Sequence, residues 1–244
     1  MLNSMCINNF PLRLYAAHVN APDEFYAGWY EKMPDARKQR ADRFKADADR
    51  HRCIMAYAVL VHAVKELAGD INDEELRSLC DAPLPIEEGA DGKPFIGSFP
   101  VSFNISHAGE RVAVVLAPKS VGCDVEIKNR DALGIAKRFF TKDEYEYLRA
   151  LEDEDMRASE FTALWTLKES VVKCCGEGIR HPFGDFSLLD DAKNRKSSIR
   201  LNGSDTIFYV REYDSENGYH YSVCSLCEDM EDEMRFVSWE MISK

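Results

Sequence analysis

Asp124 and Glu126 stand two residues apart in the run VGCDVE, and Glu169 and Lys173 stand four apart in FTALWTLKESVVK. On a strand, alternate side chains share a face, so the first pair project together, about 7 Å apart along the chain. Carboxylates that close repel one another unless a cation or a shared proton relieves them. Oxygen donors without histidine favour magnesium, or manganese, over zinc. On a helix, Glu169 and Lys173 lie one turn apart on the face that carries Trp165. Each pair also has a plain reading. The helical pair could be an exposed Glu-to-Lys contact worth roughly a few tenths of a kcal/mol. The strand pair could simply keep an edge strand soluble. Together, three carboxylates and an ammonium supply what a metal-assisted reaction at a phosphate needs.

A phosphate would need cations to hold it. Between Arg37 and Arg52 there are seven Lys or Arg against three Asp, in a chain whose net charge is −12. Arg37, Arg40, Arg43 and Arg52 read either as a solvated helix face or as the first place for a ligand phosphate. Gly92-Lys93-Pro94 sets a lysine between a flexible residue and a fixed φ, which makes a plain turn or a rigid mount for a cation.

These residues need elements to position them. Leu12–Val19 reads as a strand. Asp35–Lys45 reads as a basic helix, and Asp47–Ala68 as a longer one with Asp47 or Asp49 as its cap, ending before Gly69. Glu87–Gly97 reads as a loop. Val101, Phe103 and Ile105 alternate with polar residues from Pro100 onward, as in a half-buried strand. Arg111–Ala117 is a second strand and Lys119–Ser120 a two-residue hairpin link to a third, Val121–Glu126. In that third strand Val121, Cys123 and Val125 point inward and the carboxylates outward. Thr141 and Glu144 form a capping box. The Phe161 helix sets Leu164, Leu167 and Val171 toward a core, continued by Cys174 and Cys175. It turns Thr162, Trp165, Thr166, Glu169 and Lys173 the other way, and ends at Gly176 or Gly178. Phe186–Leu189, Ser198–Leu201, Thr206–Tyr213 and Tyr219–Leu226 follow as strands, with Asp214–Gly218 as the last hairpin loop.

Composition bounds the rest. With 244 residues, 45% hydrophobic and 30% charged, the chain suits one large globular domain or two smaller ones. No apolar run approaches the roughly 20 residues of a membrane span. No charged segment followed by an apolar one opens the sequence, so the cytoplasm is the expected compartment. The acidity argues against nucleic acid as a partner. The eight cysteines, Cys6 among them, read as reduced core thiols. Cys224-x-x-Cys227, even with Cys174–Cys175, is a weaker case for zinc.

With these residues in hand, the chain resembles the Sfp-type 4′-phosphopantetheinyl transferases. The matching pieces come in the family's order: GKP at Gly92–Pro94, FNISH at Phe103–His107, VGCDVE at Val121–Glu126, RFFTKDEY at Arg138–Tyr145 and LWTLKESVVK at Leu164–Lys173, with DRHR at Asp49–Arg52 upstream. The resemblance implies an α+β fold of two similar subdomains related by a pseudo-two-fold, so a monomer built as a pseudo-dimer. Residues 1–118 would form the coenzyme A adenine and 3′-phosphate half, and 119–244 the magnesium and catalytic half. It implies a cytoplasmic enzyme, not tied to membrane, that moves the phosphopantetheine arm of coenzyme A to a serine of an apo acyl or peptidyl carrier protein. Adenosine 3′,5′-bisphosphate leaves. Asp124, Glu126 and Glu169 would hold magnesium or manganese, with Glu169 and Lys173 catalytic and both near the cofactor. Arg37, Arg40, Arg52, Gly92, Lys93, Pro94, Ser106 and His107 would contact coenzyme A, and carrier recognition would fall near Phe139–Glu144 and the segment leading to Trp165. Cys123 and Ala108 depart from the usual pattern without removing a needed group. Two other classes stay open: a magnesium-dependent phosphoesterase using the same carboxylates, and a coenzyme A-binding module without turnover, against which the intact Asp124, Glu126, Glu169 and Lys173 set argues.

Overall fold

The computed structural model describes residues 10–89, 92–97, 101–128, 132–176, 183–189, 196–201, 205–213 and 218–244. They divide into two units, one of residues up to Lys119 joined by Asp229–Lys244, the other Ser120–Glu228. The first unit runs β1 (Arg13–His18), α1 (Asp23–Glu31), α2 (Asp35–Asp42), α3 (Asp47–Asp70), α4 (Glu74–Ser78), β2 (Ile86–Glu88), β3 (Pro94–Ile96), β4 (Ser102–Ala108) and β5 (Arg111–Ala117). The second runs β6 (Val121–Ile127), α5 (Ala132–Phe139), α6 (Lys142–Ala150), α7 (Glu154–Cys175), β7 (Lys196–Arg200), β8 (Ile207–Tyr213) and β9 (Tyr219–Ser225). The chain then adds β10 (Arg235–Phe236) and α8 (Trp239–Ile242) to the first unit.

The two units repeat one plan. Each opens on a strand, passes through helices of which one is much the longest, α3 and α7, and comes back on a hairpin whose final strand pairs antiparallel with the opening one. The sheet orders are β10-β1-β5-β4 and β6-β9-β8-β7. In the first unit α3 carries a wide apolar face, Val59, Leu60, Val64 and Leu67 among it, onto a core that includes Val112, Val114 and Leu116 of β5. All seven β5 residues are buried, as the unbroken run RVAVVLA suits a central strand. In the second, α7 packs on β6, β8 and β9.

Several local expectations are corrected. β5 and β6 are not a hairpin: β5 pairs with β1 and β4, and β6 with β9. Lys119–Ser120 is therefore the join between two sheets. Glu87–Gly97 is no plain loop, since Glu88 pairs with Pro94 and Ile86 with Ile96, and Gly92 turns the chain at φ +79°. Neither Asp47 nor Asp49 caps α3; Ala46 holds that place and makes no side-chain bond, while the two aspartates complement the helix dipole from its first turn. The helix also runs past Gly69 to Asp70, before Asn72 takes a left-handed φ of 51°. Phe186–Leu189 is not a strand; a 3₁₀ turn, Phe183–Asp185, precedes it. On β4, Asn104 and Ser106 are buried along with Phe103, so the alternation does not divide core from solvent there. Residues 229–244, expected in the second half, return to the first through β10, parallel to β1. Arg235 ties them down by pairing with Glu231 and with Glu66 of α3. Helices α1 and α5 were not anticipated. Pro100, Gly178, Cys6 and most of Asp214–Gly218 lie outside the described residues. Among those described, no helix is long and apolar enough to cross a membrane.

Gly122 decides how closely α7 lies on β6. A methyl group there would come within 2.2 Å of the Ser170 carbonyl oxygen and 2.5 Å of the Cys174 nitrogen. Both are backbone atoms, so the helix itself would have to move. We expect Gly122→Ala to lower the unfolding free energy by about 3 kcal/mol, read from urea denaturation. A loss under about 1 kcal/mol would mean the helix yields freely.

Candidate active site

The same close approach builds the site. Gly122, Asp124 and Glu126 share one face of β6, and the contacts at Gly122 place that face under α7. The carboxylates therefore look at the helix, Glu126 keeping some exposure. Asp124 is only 4% exposed. Lys173, beside Cys174 on the overlying helix, donates from Nζ to Asp124 Oδ1 at 2.6 Å. The exposed Glu169-to-Lys173 contact is thus replaced by a cross-element ion pair. Both faces of α7 are covered. Thr162 and Thr166 are buried with Leu164 and Leu167, and Thr166 Oγ1 lies 2.8 Å from Ser222 Oγ on β9. The opposite β6 face, Val121, Cys123 and Val125, is buried as expected.

The electrostatics are those of a site short of positive charge. Burial, then Asp124, with a smaller push from Glu169, raise the Glu126 carboxyl to about 7 despite Lys173. Burial and Asp124 raise Glu169 as well. Burial opposes the charge on Lys173, but Asp124, Cys123 and Glu169 together outweigh it and hold its proton. Three oxygen donors that repel one another, with one ammonium among them, fit a hard divalent cation by donor type. Among the described residues, however, no three Asp, Glu, His or Cys side chains converge tightly enough to ligate a metal; Asp124 is turned to Lys173 instead. Beside Glu126 opens a cavity of about 360 Å³, lined by Ile127, Ile135, Phe161, Thr162 and Trp165.

Two groups escaped the sequence reading. Lys168 is fully buried, 2.9 Å from the fully buried Glu144, and donates to the carbonyls of Phe183 and Phe186 at 2.7 and 2.5 Å. Burial depresses its pKa, against the pull of Glu144. Glu144 completes the expected capping box at Thr141 and also accepts the Leu188 N–H at 2.8 Å. The pair therefore fastens α6, α7 and the segment after α7 to one another. A signal existed: Lys168 falls four residues after Leu164 and three before Val171, on the core face. The second group is His220, the register partner of Glu126. Its ring joins Glu212 Oε1 at 2.9 Å to Ser159 Oγ at 3.1 Å.

Of the expected coenzyme A residues, Glu169 and Lys173 belong to the second unit and the others lie in the first. Arg40 pairs with Glu88 at 3.1 Å, whose strand partner is Pro94, so it stands by the Gly92-Lys93-Pro94 hairpin. Arg37 is 6% exposed, its pKa lowered by burial and by Arg40; it is not on a solvated face. Arg52 donates to the Gly109 carbonyl at 2.7 Å and pairs with Asp49, which sets it at the turn following Ser106 and His107. These two are neighbours on β4, Ser106 buried and His107 exposed. The fold thus forms two clusters, Arg37 and Arg40 near the hairpin and Arg52 near the 109 turn.

Residues 120–224 match the model of the 4′-phosphopantetheinyl transferase superfamily. Beyond that stretch, the transferase ffp of Bacillus subtilis is 30% identical over 207 residues, covering 84% of this chain and 88% of that one. The chain belongs to the Sfp-type 4′-phosphopantetheinyl transferases. The transferase Sfp of Bacillus subtilis strain 168 is 29% identical over 232 residues, 94% of this chain and 99% of its own. The transferase gsp of Aneurinibacillus migulanus is 33% identical over 135 residues, 55% of each chain. The family match falls within the second unit, Ser120–Glu228, and the longer alignments to ffp and Sfp extend the likeness across the first.

Proposed function

We propose that this transferase moves the phosphopantetheine arm of coenzyme A onto a serine hydroxyl of an apo acyl or peptidyl carrier protein. The observation that carries the reading is the set Asp124 and Glu126 of β6 with Glu169 and Lys173 of α7, brought together in a chain of this family. Asp124, Glu126 and Glu169 would hold magnesium, or manganese, once Asp124 turned from Lys173, and the ion would supply positive charge at the pyrophosphate. Glu169, whose carboxyl pKa is raised by burial and by Asp124, takes the serine proton directly or through water. The serine oxygen bonds to the phosphorus bearing pantetheine. The bond from that phosphorus to the bridging oxygen breaks, and adenosine 3′,5′-bisphosphate leaves with the electron pair. Lys173 keeps an ammonium at hand for a phosphate oxygen.

Arg37, Arg40, Arg52, Gly92–Pro94, Ser106 and His107 receive coenzyme A, Arg52 at its 3′-phosphate. Arg52→Ala is expected to weaken coenzyme A about tenfold, and its 3′-dephospho form much less. Calorimetric titration measures both, and equal losses would mean Arg52 only holds the Gly109 turn. Carrier recognition uses the end of α5, where Phe139 is 42% exposed and Lys137 and Arg138 fill the last turn. Glu144 takes no part in that surface, being wholly buried.

The reaction itself is tested by following adenosine 3′,5′-bisphosphate. With coenzyme A and magnesium alone, almost none should be released. Apo carrier protein should start release, each molecule matched by one carrier gaining a phosphopantetheine arm in a mass spectrum. Rapid release without carrier would identify a phosphoesterase, and binding without release a coenzyme A-holding module.

A further inference from the structure

We propose that the first unit carries a second ligand site, for a small organic anion with a flat apolar body. It lies where α1 and α3 meet the segment after α4, in a cavity of about 290 Å³, close to the lower limit for small-molecule sites. Trp29 and Tyr57 line it, with Val61 one turn along α3. The two rings meet edge to face, 6.2 Å between centroids. Tyr57 cannot swing away: its hydroxyl donates to the Lys32 carbonyl at 3.2 Å and accepts the Leu84 N–H at 3.1 Å. The aromatic wall is thus built before any ligand arrives, which lowers the ordering cost of binding.

The charge around this wall runs against that of the chain. Lys32, Lys65 and Lys244 line the cavity with the carboxylates of Asp81 and of the terminal Lys244, so the two lysines of α3 and of the segment after α1 leave it no net negative charge in a protein of net charge −12. Lys32 Nζ stands 4.7 Å from the centre of the Trp29 ring, so one ammonium overhangs the aromatic surface itself. A ring or short apolar chain would lie against the edges that Trp29 and Tyr57 leave at the cavity, the two being 7% and 1% exposed, while its carboxylate, sulfonate or phosphate reached Lys32 or Lys65. Cys80 also lines the cavity. Burial pushes its thiol up to about 11, so it adds no competing charge at neutral pH. None of these side chains is among those assigned to coenzyme A or to catalysis, so the site stands independently of that reading.

The probe is 8-anilinonaphthalene-1-sulfonate, titrated by fluorescence into the whole protein saturated with coenzyme A and magnesium. We expect one saturable site, weakened about tenfold in the double variant Lys32→Gln/Lys65→Gln. The neutral N-phenyl-1-naphthylamine should bind both proteins alike. In the wild type, held for hours at about pH 9 so that some Cys80 thiolate forms, saturating probe should slow its alkylation by iodoacetamide several-fold, followed by peptide mass spectrometry. This measurement stands without the variant should the substitutions disturb folding. Absence of saturable binding, unchanged affinity in a folded double variant, or equal Cys80 alkylation with and without probe would each overturn the proposal.

Discussion

Lys168→Ala is expected to lower the unfolding free energy by about 3–5 kcal/mol, the cost of leaving one partner of a buried ion pair uncompensated. Glu144, 2.9 Å away with no exposed surface, would lose its counter-ion in a dry interior. The carbonyls of Phe183 and Phe186 would lose their shared donor as well. Glu144→Ala should cost a similar amount, because it also strips the Thr141 cap and the Leu188 N–H of their acceptor. Combined, the two should cost clearly less than their sum, since the second removes the stranded partner left by the first. Urea denaturation of both singles and the double provides the cycle. Additive losses, or a single loss below about 1 kcal/mol, would show the pair to be incidental. The cation also lies 4.4 Å from the Phe186 ring and 5.5 Å from Phe140, so methionine at 168 should be the best tolerated replacement when Glu144 is neutral.

Asp124→Ala should reduce phosphopantetheine transfer by on the order of a thousandfold, roughly 4 kcal/mol of transition-state stabilisation. The fold should survive it. Asp124 accepts from Lys173, but it also repels Glu126 and Glu169, and Lys173 keeps Glu169 as a neighbouring charge. A thermal melt within a few degrees of wild type, beside a lost transfer signal in the mass spectrum, is the expected combination. Full activity of the variant at low magnesium would remove Asp124 from the catalytic set.

Much of this was legible because it is local. The period of two in Val121–Glu126, the helical spacing of Leu164, Leu167 and Val171, the Thr141–Glu144 box and the left-handed Gly176 all follow from neighbours a few residues away. What the sequence hid depends on partners far along the chain. From the residues alone the carboxylate face of β6 read equally as a soluble edge or a metal pair, because nothing in VGCDVE says that a helix some fifty residues on will cover it. Gly122 carried that information, since a strand glycine marks a close backbone approach, but its partner could not be named. The polar face of α7 was taken for a surface because Thr162 and Thr166 look hydrophilic; Ser222 on β9 satisfies Thr166 instead. β2 and β3 are three residues each, too short for a pattern to register. Helix α1 was a different failure. Phe25, Tyr26 and Trp29 stand on one face behind Asp23 and Glu24 in the first turn, which is a signal passed over.

The return of β10 to β1 bears on the order in which the molecule is completed. All strand partners of the Ser120–Glu228 sheet lie inside that segment, so it can finish as soon as it has been synthesised. The first unit cannot. Tyr15 pairs with Arg235 and Ala16 with Phe236, and the edge of β1 stays open until those residues emerge from the ribosome. The unit made first is therefore finished last. Closing so long a loop adds little free energy, since the cost grows only with the logarithm of its length. The delay matters kinetically: an open, apolar strand edge can pair with another chain during that interval. Arg13 at the head of β1, which later meets Asp70 and Glu231, is the charge best placed to keep that edge from pairing wrongly.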